Sequence, residues 1–105
     1  MGNAVNSKEE VLACLRGARE DLVRLGVANI GLFGSFVNGQ QTPVSDIDVL
    51  VEFRPEHHTF DSFMEVSFLL EELFGRKVDL VTPDALSPYI GPHILQEVER
   101  VSFAA

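Results

Sequence analysis

The sequence predicts a two-layer α+β or α/β domain in which a small mixed sheet packs against helices. Three observations carry that expectation. Stretches with apolar residues at helical spacing alternate with short apolar runs, in the order helix, strand, strand, helix, strand, helix. The chain has 105 residues, which fits one domain and leaves little room for a second. Its residues are 46% hydrophobic and 23% charged, a globular composition.

Taken in order, residues 1–7 are small and polar and are expected to fray. Ser7 stands three residues before Glu10, a capping box that opens a helix over about 8–25. Val11, Leu15, Ala18, Leu22 and Leu25 form its apolar face, and Gly26 is placed to cap its end. Gly17 inside it costs about 1 kcal/mol against alanine, which close packing would explain. Cys14, the single cysteine, excludes an intramolecular disulfide and reads as a buried or half-buried thiol. Residues 28–33 read as a strand that Gly34-Ser35 breaks, with Ser35 placed to start a short helix over 36–38. Gly39 to Pro43 is a polar loop.

Residues 46–53 form the second expected strand. Alternation puts Ile47, Val49, Val51 and Phe53 on one face and Asp46, Asp48, Leu50 and Glu52 on the other. Arg54 to Thr59 is a loop whose His57 and His58, with His93 remote, read as exposed polar residues rather than zinc ligands. Ser62 and Glu65 suggest a second capping box, with Phe60 as its staple. The helix that follows carries Phe63, Val66, Leu70, Leu73 and Phe74 and ends at Gly75. Residues 77–82 are the third strand, with Val78 and Leu80 facing one way and Lys77, Asp79 and Val81 the other. A turn at 82–84, a helical turn at 85–87 and a terminal helix over 91–101 complete the pattern.

The net charge of -8 at pH 7 repels a phosphate backbone, so stable general nucleic-acid binding is not expected. The same charge suits a basic protein partner. The N-terminus lacks the pattern of a signal peptide, and no apolar run reaches membrane-spanning length, so the expected location is the cytoplasm. MGNAVN carries the Gly2 of a myristoylation signal, but Asn6 stands where Ser or Thr is needed.

The chemistry concentrates in three acids on two otherwise apolar strands. Each has an ordinary explanation alone: a turn at Gly34-Ser35, a polar strand rim at Asp46 and Asp48, an ion pair of Asp79 with Lys77 or an arginine. Together they point to a site for phosphate and metal. Carboxylate oxygens suit a hard cation such as Mg²⁺, and two such ions about 3.5–4 Å apart would clamp a phosphoryl displacement. In that reading Asp46 and Asp48 carry metal, while Asp79 carries the second metal and helps the attacking hydroxyl. The Gly34-Ser35 turn offers donors to a nucleotide's phosphates.

The joint pattern of Gly34-Ser35, then Asp46-Ile47-Asp48, then Asp79 resembles the nucleotidyltransferase superfamily of DNA polymerase beta. LFGSFVNG, SDIDVLVEF, LEELFGRKVDLVTPDALSP and PHILQEVE resemble its minimal nucleotidyltransferase group across about residues 8–101 of a single domain over 1–105. The resemblance implies an α+β polymerase-beta-like fold. It implies Asp46, Asp48 and Asp79 as catalytic carboxylates and metal ligands, and Gly34 and Ser35 as holders of the triphosphate of ATP. It also implies a HEPN-domain toxin as partner, with AMP transferred to one of its tyrosines and this chain acting as the antitoxin. Homodimer and hetero-complex both stay open.

One residue departs from the group's pattern. Its loop reads G-S-x-A-R-G, and here Asn38 replaces the arginine before Gly39. Asn38 supplies no cation to a polyphosphate, so Lys77, Arg76 or a partner residue is expected to compensate, or turnover is weakened. That departure keeps two alternatives in view: an antitoxin that neutralises a helical partner by occlusion alone, and transfer to a small-molecule acceptor.

Overall fold

The computed structural model describes residues 5–89 and 91–101. The chain runs α1 (Lys8–Gly17), α2 (Arg19–Arg24), β1 (Val27–Phe33), α3 (Ser35–Asn38), β2 (Ile47–Phe53), α4 (Phe60–Phe74), β3 (Val78–Val81), α5 (Gly91–Glu97) and β4 (Glu99–Val101), with single 3₁₀ turns at Pro55–His57 and Pro83–Ala85. The sheet order is β3-β2-β1-β4. The β1–β2 and β1–β4 pairs are antiparallel and β2–β3 is parallel, so the sheet is mixed. The α+β reading therefore stands.

Alternation assigns the two faces as expected. Ile47, Val49 and Val51 are buried with Ile30, Leu32, Val78 and Leu80, and Val11, Leu15, Leu22, Val66, Leu70 and Phe74 complete the same core from the helices. Register pairs Ile30 with Val51, Leu32 with Val49 and Val49 with Leu80, so these residues share one face. Asp48, Leu50, Glu52 and Asp79 belong to the opposite face. The apolar face thus anchors two strands whose other side is free to carry acids.

Several expectations are corrected. The first helix is two helices, because Ala18 leaves helical geometry at φ -96, ψ 9. Gly17 ends α1 with open space where a side chain would stand, so close packing does not explain it. The capping box at Ser7 holds, with its side chain accepting from the Glu10 amide at 3.2 Å. Asp46 precedes β2 instead of opening it. The long helix starts earlier than Ser62: Thr59 is its cap, accepting from the Ser62 amide at 3.1 Å. Phe60 is then its first residue and is exposed, not a staple. Finally, the terminal helix stops at Glu97, and Glu99–Val101 form a fourth strand on β1. Gly31 makes that pairing tight, since a side chain there would run into Val98.

Candidate active site

β2 and β3 run parallel in a register that sets Asp48 directly beside Asp79. Parallel neighbours share a face, so the two carboxyls meet on the side away from the core. Asp48 is half-buried, whereas Asp46 and Asp79 are exposed at an open end of the sheet. Burial first, then the charges of Asp79 and Asp46, a hydrogen bond with Asp79 and the charge of Glu97, push the Asp48 carboxyl up to about 6. The charges of three other acids thus reach Asp48, which holds its proton well above the usual carboxylate range.

The turn after β1 completes the arrangement. Phe33 pairs with Asp48, which brings Gly34 over the Asp48 side chain. Gly34 has φ 76 and ψ -149, a region that residues with a side chain scarcely enter. A Cβ at Gly34 would overlap Asp48 Oδ2, so glycine is required by backbone and by space. From there Ser35 opens α3. The Val37 and Asn38 amides both close onto the Gly34 carbonyl, leaving the Ser35 and Phe36 amides outside the helix's own bonds. Gly39 takes the left-handed conformation that ends the helix, at φ 73.

One residue enters the site that sequence reasoning did not assign to it, and a second takes a role there other than the one expected. Glu97, the last residue of α5, accepts from the Gly34 amide at 3.3 Å. Its carboxylate stands where the turn would offer a donor to a phosphate. The only sequence signal was its place in the terminal PHILQEVE run. The second is Arg76, named at first as a cation for the polyphosphate. Its side chain instead donates to Val5 O at 2.6 Å, Thr42 O and Ser45 O at 3.0 Å each, and Asn6 Oδ1 at 3.1 Å. Four of the five N–H donors of a guanidinium are thereby committed within the chain. Lys77 remains the candidate cation on this face: it is exposed and, among the described residues, makes no ion pair. Asn38 and Gly39 are exposed at the end of α3, with open space around Gly39. Among the described residues, Asp79 makes no ion pair with Lys77 or an arginine, which removes the ordinary explanation for its presence.

The donor chemistry fits a hard divalent cation, because every ligand candidate is a carboxylate and the Asp48–Asp79 pair needs a positive charge or a proton between its members. Among the described residues, no three His, Cys, Asp or Glu side chains are gathered closely enough to hold an ion as they stand. Asp48 and Asp79 form the pair; the third arm is not drawn in. His57 and His58 lie elsewhere, with His58 stacked on Phe53 at 6.3 Å and 3.9 Å from Asp84. Cys14 is half-buried and its thiol is pushed up by burial, the state of an inert packing residue. Among the described residues, no helix is long and apolar enough to cross a membrane.

Comparison with known proteins agrees with this geometry. Residues 15–101 match the nucleotidyltransferase domain family. A protein adenylyltransferase, MntA of Thermococcus cleftensis, is 38% identical over 99 residues, which are 93% of this chain and 99% of the relative. A solved structure described as a minimal nucleotidyltransferase superposes with a TM-score of 0.70 at 31% identity, covering 86% of this chain and 95% of that one. A toxin–antitoxin crystal structure with AMP-PNP superposes with a TM-score of 0.64, covering 90% of this chain and 72% of that one; at 23% identity it speaks for the fold alone. The acids beside one another on β2 and β3, the glycine turn above them and a match over nearly the whole chain lead to one assignment: the chain belongs to the nucleotidyltransferase domain family, in its minimal nucleotidyltransferase group.

Proposed function

We propose that the chain transfers AMP from ATP, with Mg²⁺, to a tyrosine hydroxyl of a HEPN-domain partner and thereby acts as that partner's antitoxin. The observation that carries this reading is the pairing of Asp48 with Asp79 directly under the Gly34 turn. The Thermococcus cleftensis relative, named a protein adenylyltransferase, supports a protein acceptor. The exposure of Asp46 and Asp79 at an open sheet end suits an acceptor delivered by another protein.

In this mechanism Gly34 and Ser35 receive the triphosphate through backbone amides and the serine hydroxyl. The Gly34 amide exchanges the Glu97 carboxylate for a phosphate oxygen. Asp48 and Asp79, with Asp46, would hold Mg²⁺, which when bound supplies charge neutralisation and Lewis-acid polarisation at the phosphates. Asp79 orients the acceptor hydroxyl and takes its proton. The hydroxyl oxygen bonds to the α-phosphorus, the bond from that phosphorus to pyrophosphate breaks, and pyrophosphate leaves with the electron pair.

The test is to incubate the chain with ATP, Mg²⁺ and its HEPN-domain partner and to weigh the intact partner. The expected result is a gain of one AMP per transfer; a folded pair that gains no mass under any metal condition overturns the reading. The missing loop cation gives a second check. Asn38→Arg is expected to lower the KM for ATP about three- to tenfold, since a guanidinium at the end of α3 adds a charge-assisted contact to the polyphosphate. An unchanged KM would mean that the end of α3 does not reach the phosphates.

A further inference from the structure

We infer that Arg76 is the positioning residue that sets Asp46 and locks the Gly34-Ser35 turn to the acid-bearing strands. The inference rests on the proposed metal and nucleotide site, and it concerns how that site is assembled.

Arg76 touches a neighbour of Asp46 and a neighbour of Ser35. It lies on the lead into β3, three residues before Asp79. Its Nη1 donates to the Ser45 carbonyl at 3.0 Å, and that carbonyl belongs to the peptide group preceding Asp46. On the other side of Asp46, the Ile47 amide donates to the Lys77 carbonyl at 3.0 Å. Two consecutive residues, one by side chain and one by backbone, therefore bracket Asp46. That matters because Asp46 lies outside β2.

The same guanidinium reaches the phosphate turn. Its Cζ sits 5.1 Å from the centroid of the Phe36 ring, and Phe36 follows Ser35 directly. Phe36 is 1% exposed, so the ring is a fixed platform. Arg76 also holds the 42–45 turn from outside, through Thr42 O at 3.0 Å. Inside, that turn is closed by the Ser45 amide on Thr42 O at 3.0 Å and the Thr42 amide on Ser45 Oγ at 2.8 Å. Bonds to Val5 O and Asn6 Oδ1 aim the guanidinium from behind. A planar fork with donors in several directions makes all these contacts at once; an ammonium on a flexible stem does not. Residue 76 therefore acts through its shape, and the charge that looked available to ATP serves to hold the site together.

The experiment is a double-mutant cycle with Asp46→Asn, Arg76→Lys and both changes, read by Mn²⁺ binding in the absence of nucleotide and by amide hydrogen exchange. If Arg76 acts through Asp46, Arg76→Lys is expected to weaken Mn²⁺ binding at least tenfold. Adding it to Asp46→Asn is then expected to change little further, as coupled neighbours are non-additive. The amides of Ser45 and Ile47 are expected to exchange at least tenfold faster in Arg76→Lys, while amides in the middle of β1 and α4 keep their protection. Wild-type Mn²⁺ affinity in Arg76→Lys, full additivity in the cycle, or unchanged exchange at 45 and 47 would each overturn the inference. A wild-type protein that binds no Mn²⁺ would instead count against the metal reading, and the exchange measurement would still decide the role of Arg76.

Discussion

Asp48→Asn is expected to abolish nucleotidyl transfer and, in the same protein without metal, to raise stability by about 1–2 kcal/mol near neutral pH. The two effects share one cause. The Asp48 carboxyl is pushed from the ordinary 3.8 up to about 6, by burial first and then by the charges of Asp79, Asp46 and Glu97. A carboxyl with a folded-state value above its unfolded one binds its proton more tightly in the folded protein. It therefore costs no stability below about pH 4, costs progressively more as pH rises from about 4 to about 6, and carries its full penalty above that. The whole shift would be worth about 3 kcal/mol; water reaches this half-buried group, which reduces the expectation to about 1–2 kcal/mol.

The neutral amide of Asn removes the penalty and keeps the shape. Urea denaturation near pH 7.5 should show the gain, equivalent to a Tm rise of about 5 °C or more for a domain of this size. Near pH 4.5 the gain should fall to about a third, because most of the wild-type carboxyl is then protonated. Mg²⁺ should stabilise the wild type, by about 2.7 kcal/mol at a hundredfold excess over its Kd, and Asp48→Asn far less. A variant that is less stable than wild type near pH 7.5, or equally stabilised at both pH values, would refute this account. The expected trade of stability for activity is the mark of a group kept charged for chemistry.

What the sequence made legible follows from periodicity. A period of two in SDIDVLVEF separates the buried Ile47, Val49 and Val51 from Asp48 without any tertiary knowledge, and the same rule places Asp79. Two features escaped because their signals compete. Ile94, Leu95, Val98 and Val101 keep helical spacing across a boundary that tertiary pairing decides, so a three-residue strand on β1 reads as the end of a helix. Thr59 and Ser62 are both cap residues, and the structure uses Thr59. Others escaped because no local signal exists. The acceptors of Arg76 lie 31 to 71 residues away in sequence, and all but the Asn6 side chain are backbone carbonyls, which carry no residue identity. The contact between Glu97 and Gly34 spans 63 residues and depends on where α5 ends.

Gly34→Ala is expected to lose transfer by about a hundredfold or more, and to lose stability by about 1–3 kcal/mol, through two separable effects. The first is backbone: φ 76 with ψ -149 excludes a side chain on conformational grounds alone. The second is space, since the new methyl would overlap Asp48 Oδ2 and displace the carboxyl beside Asp79. Gly39→Ala isolates the first effect in a milder form. Gly39 also has a positive φ, 73, but nothing stands where its Cβ would go. That variant should cost about 1 kcal/mol and keep most of its transfer activity. Asp48→Ala in the Gly34→Ala background isolates the second effect, because removing the carboxyl frees the space the methyl needs. The double variant should regain part of the lost stability while staying inactive, measured as Tm alongside the mass of the intact partner. If Gly34→Ala retains transfer, or if Asp48→Ala returns none of its stability, then the turn and the carboxyl are not one fitted unit. The fit between them would make Gly34 a part of the acid site as well as of the phosphate turn: the residue that lets the backbone close over Asp48 also fixes how far the phosphates sit from it.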